Sequence, residues 1–415
     1  APDIGAWRGT CNTVSRGLAL IELGCLDQGG VEALAERLGL GERQLRRLFR
    51  QHLGASPIAV AQTRRILLAK QLIHETHLPI TQVAFAAGFS SIRRFNETFR
   101  ALFGCAPGEL RRVGAADVAA DSGGAFSLLL RYRPPYDWPA MLQFLRRRAI
   151  PGIERIADGG YSRTVDLNGV QGTVSVRPAE ANALRAHIRV AMLSGLPEII
   201  ARLRRVFDLA AEPLAIGAHL ASDPLLAALV HRRPGLRVPG GWDGFELAIR
   251  AVLGQQITVS AAARLAGRLV AAYGEPMALP DRDLTHVFPQ PQALAHADLS
   301  ALGMPRSRAA TLNAVAAAVA ADPDLLRASR GLTHTVQRLR SIPGVGEWTA
   351  QYIALRQLRE PDAFPVGDVG LRRALADPQG QRPSAGELLA RAQKWRPWRA
   401  YAAQHLWAAG GHSEA

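Results

Sequence analysis

Apolar residues recur every three to four positions through residues 13–112, and two stretches of that region repeat one layout. Residues 31–40 and 80–89 each predict an amphipathic helix closed by a glycine turn. Residues 41–50 and 90–100 each predict a second, arginine-rich helix. Leu45, Leu48 and Phe49 in the first copy, and Ile92, Phe95 and Phe99 in the second, form an apolar stripe for a core. The opposite faces carry Arg43, Arg46 and Arg47, and Arg93, Arg94 and Asn96. Residues 57–75 predict a connecting helix. This is a helix-turn-helix layout. One copy is a weak signal, because two helices with a glycine between them are common. Two copies about 50 residues apart are a much stronger one.

Residues 113–125 are small and polar and read as a linker. From residue 126 the period changes. Residues 126–132, 153–166 and 171–177 have strand character, with turns at Asp158-Gly159-Gly160 and Asn168-Gly169. Helices are expected over 138–148 and about 195–208. From 213 onward the pattern is helical again, broken at Pro234, Pro239-Gly240-Gly241, Pro280, Pro289 and Pro291. The expected fold is therefore mainly α with a small α+β domain. It divides into a double helix-turn-helix domain (1–112), a linker (113–125), an α+β domain with a small antiparallel sheet (126–212) and a many-helix domain (213–415).

Charge adds the first functional constraint. The 415 residues carry a net charge of +15, which favours a polyanionic partner, with nucleic acid the first candidate. Almost all the positive charge is arginine, and Lys70 and Lys394 are the only lysines. Cys11, Cys25 and Cys105 form no closely spaced set, so neither an iron–sulfur cluster nor a structural zinc site is expected. No metal or cofactor is expected elsewhere. The sequence holds no apolar run of about 18 residues and no charged-then-apolar leader, so no membrane association and a cytoplasmic location are expected. A monomer is expected.

The candidate chemistry lies near the C-terminal end. Pro343-Gly344-Val345-Gly346 sits between two helical patterns and predicts a tight hairpin whose backbone N–H groups can face a phosphate. About 20 residues on, Asp368 ends the apolar stretch Ala363-Phe364-Pro365-Val366, where a helix can start. A hairpin followed by one carboxylate resembles the helix-hairpin-helix, Gly/Pro-Asp signature of base-excision DNA glycosylases. The resemblance points to Asp368 as the group that helps break an N-glycosidic bond. Such cleavage passes through an oxocarbenium-like sugar, which one carboxylate can stabilise while it orients water. The base must leave the stack for a pocket, usually walled by aromatic rings. Trp348 and Tyr352, four apart on the helix after the hairpin, share a face, and Trp407 lies near the end of the chain. On spacing alone, core packing is the commoner fate of such rings.

Residues 127–415 resemble AlkA-type DNA-3-methyladenine glycosylases over their whole length. The resemblance rests on Pro134-Pro135-Tyr136-Asp137-Trp138 with Phe144, on residues 251–256, on the hairpin, on Asp368 and on residues 395–401. It implies that Asp368 is the catalytic aspartate, and that Trp348, Tyr352, Trp407 and Phe144 wall the pocket. Gln256 falls where the family inserts a wedge residue, usually leucine, into the duplex. Val369 stands where an aromatic is familiar. Lyase-active relatives carry a lysine at the position of Trp348, so strand cleavage is not expected. Residues 13–112 resemble the AraC-type DNA-binding domain, above all Ala86-Ala87-Gly88-Phe89-Ser90-Ser91. The combination is similar to Ada-type adaptive-response proteins. The first residues look like the seam after their methyl-acceptor domain, and no methyl transfer is expected.

The expected activity is aspartate-assisted hydrolytic release of 3-methyladenine or 7-methylguanine from duplex DNA, the aromatic rings receiving the cationic base by cation–π stacking. Promoter DNA is the expected partner of the helix-turn-helix units. One alternative is a transcription regulator whose glycosylase-like half only binds DNA. Another is an oxidised-base glycosylase of the same superfamily.

Overall fold

The computed structural model describes residues 10–113, 125–327, 331–377 and 379–410. Most of the expected linker, and the first nine residues with the proposed seam, lie outside that set.

The two helix-turn-helix units are Val31–Arg37 with Glu42–Leu53, and Ile80–Ala86 with Ile92–Phe103, joined by Pro57–Glu75. Pro57 starts the joining helix with its φ preset, and Ser56 caps it by accepting from Ala59 N at 3.2 Å. Leu45, Leu48, Phe49, Phe95 and Phe99 are buried as the stripe requires, while Ile92 is only half-buried. The two units differ in what they pack on. The first closes its own core around Leu20, Leu34, Leu45 and Phe49. The second shares one core with the sheet, where Phe89, Phe95 and Phe99 pack in a cluster with Phe126, Leu128 and Leu130.

That sheet has five antiparallel strands in the order Ala125–Arg131, Ala183–Val190, Val170–Ala179, Gly160–Leu167, Glu154–Ala157. The strand Ala183–Val190 was not expected, although Leu184, Ala186, Ile188 and Val190 point inward and Arg185, His187 and Arg189 outward. Ala125–Arg131 is an edge strand, and the helix Pro57–Glu75 covers it. Glu75 accepts from Leu129 N at 2.6 Å, and Gln71 donates to Leu129 O at 2.8 Å. Backbone groups that would otherwise invite another strand are satisfied in this way. The first unit, with the helix Thr10–Glu22 that packs into its core, is tied to the helical region by ion pairs. Arg16 contacts Glu360 at 2.9 and 3.3 Å, and Arg37 meets Asp324 at 2.8 Å.

The helices Trp138–Arg148 and Leu196–Val206 carry the residues Met141, Leu142, Leu145, Leu196, Ile199 and Leu203 of the same core as the sheet. Beyond Pro213 the chain is helical apart from an unexpected two-stranded hairpin, Glu275–Asp281 with Leu284–Val287. Pro280 suggested only a break there. Among the described residues no helix is long and apolar enough to cross a membrane.

Buried charge joins the sheet to the helical region. Arg163 of the strand Gly160–Leu167 meets Glu246 of the helix Gly244–Leu253 at 2.7 Å. Arg250, one turn on, bridges Glu246 at 2.7 Å and Glu154 at 2.5 Å. Arg250 also donates to Arg148 O at 2.7 Å, which anchors the end of the helix that carries Phe144.

Candidate active site

The helices Leu332–Arg340 and Glu347–Arg356 flank the hairpin. Gly344 has φ 83°, and a Cβ there would lie 1.9 Å from Thr311 Oγ1, so only glycine fits. Gly346 is different. Its backbone is extended, and a Cβ would meet nothing within 4 Å, which leaves open space beside it. The Val345 N–H is spent on Ile342 O at 3.1 Å. Among the described residues no protein acceptor meets the N–H groups of Gly344 and Gly346. Pro343 is exposed and Val345 buried, so those two shape the turn.

Gln255 ties the hairpin to the neighbouring loop, donating to Gly344 O at 3.2 Å and to Thr349 Oγ1 at 3.0 Å. The next residue, Gln256, is exposed and held at φ 58°, a left-handed conformation uncommon for a residue with a side chain. The candidate wedge thus stands out from a loop fixed by its neighbour.

Asp368 caps the helix Val369–Ala374. Its Oδ1 accepts from Leu371 N and from Trp407 Nε1, both at 2.9 Å, and its Oδ2 accepts from Trp348 Nε1 at 2.8 Å. Three neutral donors therefore fix the carboxylate plane. Gly370 makes room for this arrangement, since a Cβ there would sit 3.0 Å from Asp368 Oδ1 and 3.3 Å from the Trp407 ring. The tryptophans expected as pocket walls hold the carboxylate as well. Trp348 stacks on Tyr352 (centroids 5.2 Å apart, planes at 12°), and Tyr352 meets Trp407 edge-on at 6.4 Å.

These groups line one cleft of about 1180 Å³, which brings together Phe144, Gln256, Gly344, Gly346, Trp348, Tyr352, Asp368, Val369 and Trp407. Val369 is more than half exposed, which leaves that wall open. Residues 148 and 356 were missed. The Arg148 guanidinium lies 3.9 Å from the Phe144 ring centre. The Arg356 guanidinium lies 4.5 Å from the same ring, 5.4 Å from Tyr352 and 5.2 Å from Trp407. The protein's own cations thus already use ring faces expected to receive a cationic base. A signal for them existed: Arg148 is four residues after Phe144, and Arg356 four after Tyr352, one helical turn in each case. Burial lowers the pKa of Arg356 to about 10 and also lowers that of Arg148. Burial alone would push the Tyr352 phenol up, but the charges and hydrogen bonds of Arg356 and Arg148 outweigh it and hold it below its usual range.

The helix-turn-helix candidates stand apart from this cleft. Arg43, Arg46, Arg93 and Arg94 are exposed and Asn96 half-buried. Arg46 pairs with Glu42, and Arg93 with Glu97, each at 2.9 Å within its own helix. Among the described residues no group of three His, Cys, Asp or Glu side chains could hold a metal ion.

Three family profiles match consecutive stretches of the chain. They are a helix-turn-helix domain over 34–113, the AlkA N-terminal domain over 127–243, and the HhH-GPD superfamily of base excision DNA repair proteins over 249–400. The "probable bifunctional transcriptional activator/DNA repair enzyme AlkA" of Mycobacterium tuberculosis is 42% identical over 409 residues, covering 98% of this chain and 82% of that one. DNA-3-methyladenine glycosylase 2 of Escherichia coli is 36% identical over 282 residues, 67% of this chain and 95% of that protein. The solved 3-methyladenine DNA-glycosylase of Archaeoglobus fulgidus shares the fold, with a TM-score of 0.59 at 21% identity over 68% of this chain and 97% of that one.

Proposed function

The chain belongs to the AlkA-type DNA glycosylase family, in the form that carries an AraC-type helix-turn-helix module, and we propose that it excises alkylated bases from duplex DNA by Asp368-assisted hydrolysis. The observation that carries this reading is the Asp368 carboxylate in the cleft, its plane set by Trp348, Trp407 and the Leu371 N–H. A module that only bound DNA would have no use for a carboxylate, which repels phosphate.

In this reading the damaged nucleotide leaves the stack and its base enters the cleft beside Tyr352 and Phe144. Gln256 stands at the rim to fill the gap, and the free N–H groups at Gly344 and Gly346 take a phosphate. The C1′–N bond breaks with its electron pair going to the base. Asp368 stabilises the positive sugar and orients the water that adds to C1′. A lyase step needs an amine that forms an imine. Trp348 offers none, and neither lysine lines the cleft. Incubating the protein with methylated duplex and identifying released bases by chromatography tests the reading. Free 3-methyladenine or 7-methylguanine with intact abasic strands is expected, and no released base would refute it. Trapping of a covalent adduct by borohydride would refute the hydrolytic route alone.

The two second helices, Glu42–Leu53 and Ile92–Phe103, are proposed to enter successive major grooves about 10 base pairs apart. Arg43 and Arg94 are the cleanest probes, because neither shares the intrahelical ion pairs of Arg46 and Arg93. In the full chain, Arg43→Ala or Arg94→Ala should each lower the salt slope of undamaged-duplex binding by about 0.9. Base release from a short damaged duplex should stay unchanged. Equal salt slopes for the variants and the parent would remove these arginines from the DNA contact.

A further inference from the structure

The helix Thr10–Glu22 packs into the core of the first helix-turn-helix unit, but its Arg16 reaches the glycosylase half. The Arg16 guanidinium makes a two-pronged contact with the Glu360 carboxylate, at 2.9 and 3.3 Å. The two side chains are only 13% and 7% exposed, so this pair is no solvated surface bridge. The same guanidinium lies against Gly331, where a Cβ would stand 3.4 Å from Arg16 Nη1. Gly331 opens the helix Leu332–Arg340, which leads into the hairpin.

Glu360 is the first residue of a node. Its N–H donates to Ala354 O at 3.1 Å, on the helix that carries Trp348 and Tyr352. The next carbonyl, Pro361 O, accepts from Ala400 N at 2.8 Å, on the helix that carries Trp407. Asp362 accepts from Arg399 of that helix at 2.7 and 3.1 Å. From there the chain runs to Asp368, held on the way by Phe364 N, which donates to Gln351 Oε1 at 3.1 Å. Residues 360–362 thus join the three elements that supply Trp348, Trp407 and Asp368.

We infer that Arg16 is a positioning residue for base release: through Glu360, the DNA-binding module sets the placement of Asp368 against the two tryptophans that hold it. The proposal rests on the glycosylase reading above. Removing Arg16 leaves the Glu360 carboxylate without the guanidinium it faces, in a site too dry to keep a lone charge. The carboxylate turns toward solvent and the node shifts with it. Asp368 acts on a sugar charge that exists only in the transition state, so an offset of its carboxylate slows bond breaking and leaves duplex binding unaltered. Arg37 with Asp324 supplies the comparison. This pair ties the same unit to the same half at 2.8 Å, but it is 31% and 44% exposed, and the other ion pair of Asp324 is to Arg327.

The test uses the full chain and a short duplex with one N7-methylguanine. Single-turnover release, duplex affinity and thermal melting are measured for the parent, Arg16→Ala, Arg16→Lys and Arg37→Ala. The indole N–H resonances of Trp348 and Trp407, assigned by their loss in Trp348→Phe and Trp407→Phe, report the bonds to Asp368. Arg16→Ala should release base about tenfold more slowly at unchanged affinity, with both indole signals shifted. Arg16→Lys, which keeps the charge, should recover part of the rate. Arg37→Ala should match the parent in rate and in both signals. Adding Glu360→Gln to Arg16→Ala should slow release no further, because the two residues act as one unit. A folded Arg16→Ala protein with the parent's rate, or with unmoved indole signals, would overturn the proposal and leave the glycosylase reading standing. Equal slowing by Arg37→Ala would mark the contact as general docking and overturn it too. No base release by the parent would overturn both.

Discussion

Asp368→Asn should bind damaged duplex nearly as well as the parent and release base about 100- to 1000-fold more slowly in single turnover, a loss of roughly 3–4 kcal/mol of transition-state stabilisation. The shape is kept and the charge is lost. The substitution is not silent in the free protein, however. Both oxygens of Asp368 receive N–H donors. An amide must turn its NH2 toward one of them, and the Oδ2 side, with Trp348 alone, is the less costly choice. Two donors then face each other in a half-buried site, which costs about 1–3 kcal/mol of stability. Trp348→Phe in the same chain removes that conflict while keeping a ring to stack on Tyr352. The double variant should melt higher than Asp368→Asn and stay as slow. Base release near the parent rate in Asp368→Asn would take the catalytic role away from this carboxylate.

The parts of the fold that local chemistry determines were readable before any coordinates. The helices Pro57–Glu75 and Trp138–Arg148 begin and end where they were expected. Prolines at their first turns and side-chain caps from Ser56 and Asp137 are signals carried within four residues. The strand Ala183–Val190 was missed because it opens on alanine, has another at Ala186 on its inward face, and carries Arg185 and Arg189 on its outward face. The hairpin at 275–287 was missed because Pro280 pointed only to interruption. At the cleft, residue types were legible and partners were not. Trp348 and Trp407 were assigned as walls from their rings. Their indole N–H groups reach Asp368 from 20 residues before it and 39 after it, a relation no periodicity contains. Arg148 and Arg356 were overlooked for a related reason: 48 arginines in one chain hide two that are buried against rings.

The buried charges behind the cleft should make the largest contribution to stability of any single site considered. Glu246→Ala should destabilise the protein by about 3–5 kcal/mol at neutral pH, read from urea unfolding. The side chains of Glu246 and Arg163 are only 4% and 2% exposed. Removing the carboxylate would leave Arg163 with Glu154 at 3.9 Å and Arg250 with one acid in place of two. An unpaired buried guanidinium is far more costly than the net worth of the pair, because its lost hydration is no longer compensated. Burial alone would push the Glu246 carboxyl up, but Arg163 and Arg250 outweigh burial and hold it well below its ordinary value of 4.5. The folded state thus binds this proton less readily than the unfolded chain. The stabilisation is fully present above the ordinary glutamate range and fades as pH falls below it. The gap between parent and Glu246→Ala should therefore be constant near neutrality and narrow below about pH 4.5. The damage should also reach the cleft, since Arg250 holds the Arg148 carbonyl at 2.7 Å and with it the helix end beside Phe144. Glu246→Gln keeps the shape and drops the charge. It should fall between the two, with base release reduced in step with stability. A Glu246→Ala protein as stable as the parent at pH 7 would show that this network adds nothing to the join between sheet and helices.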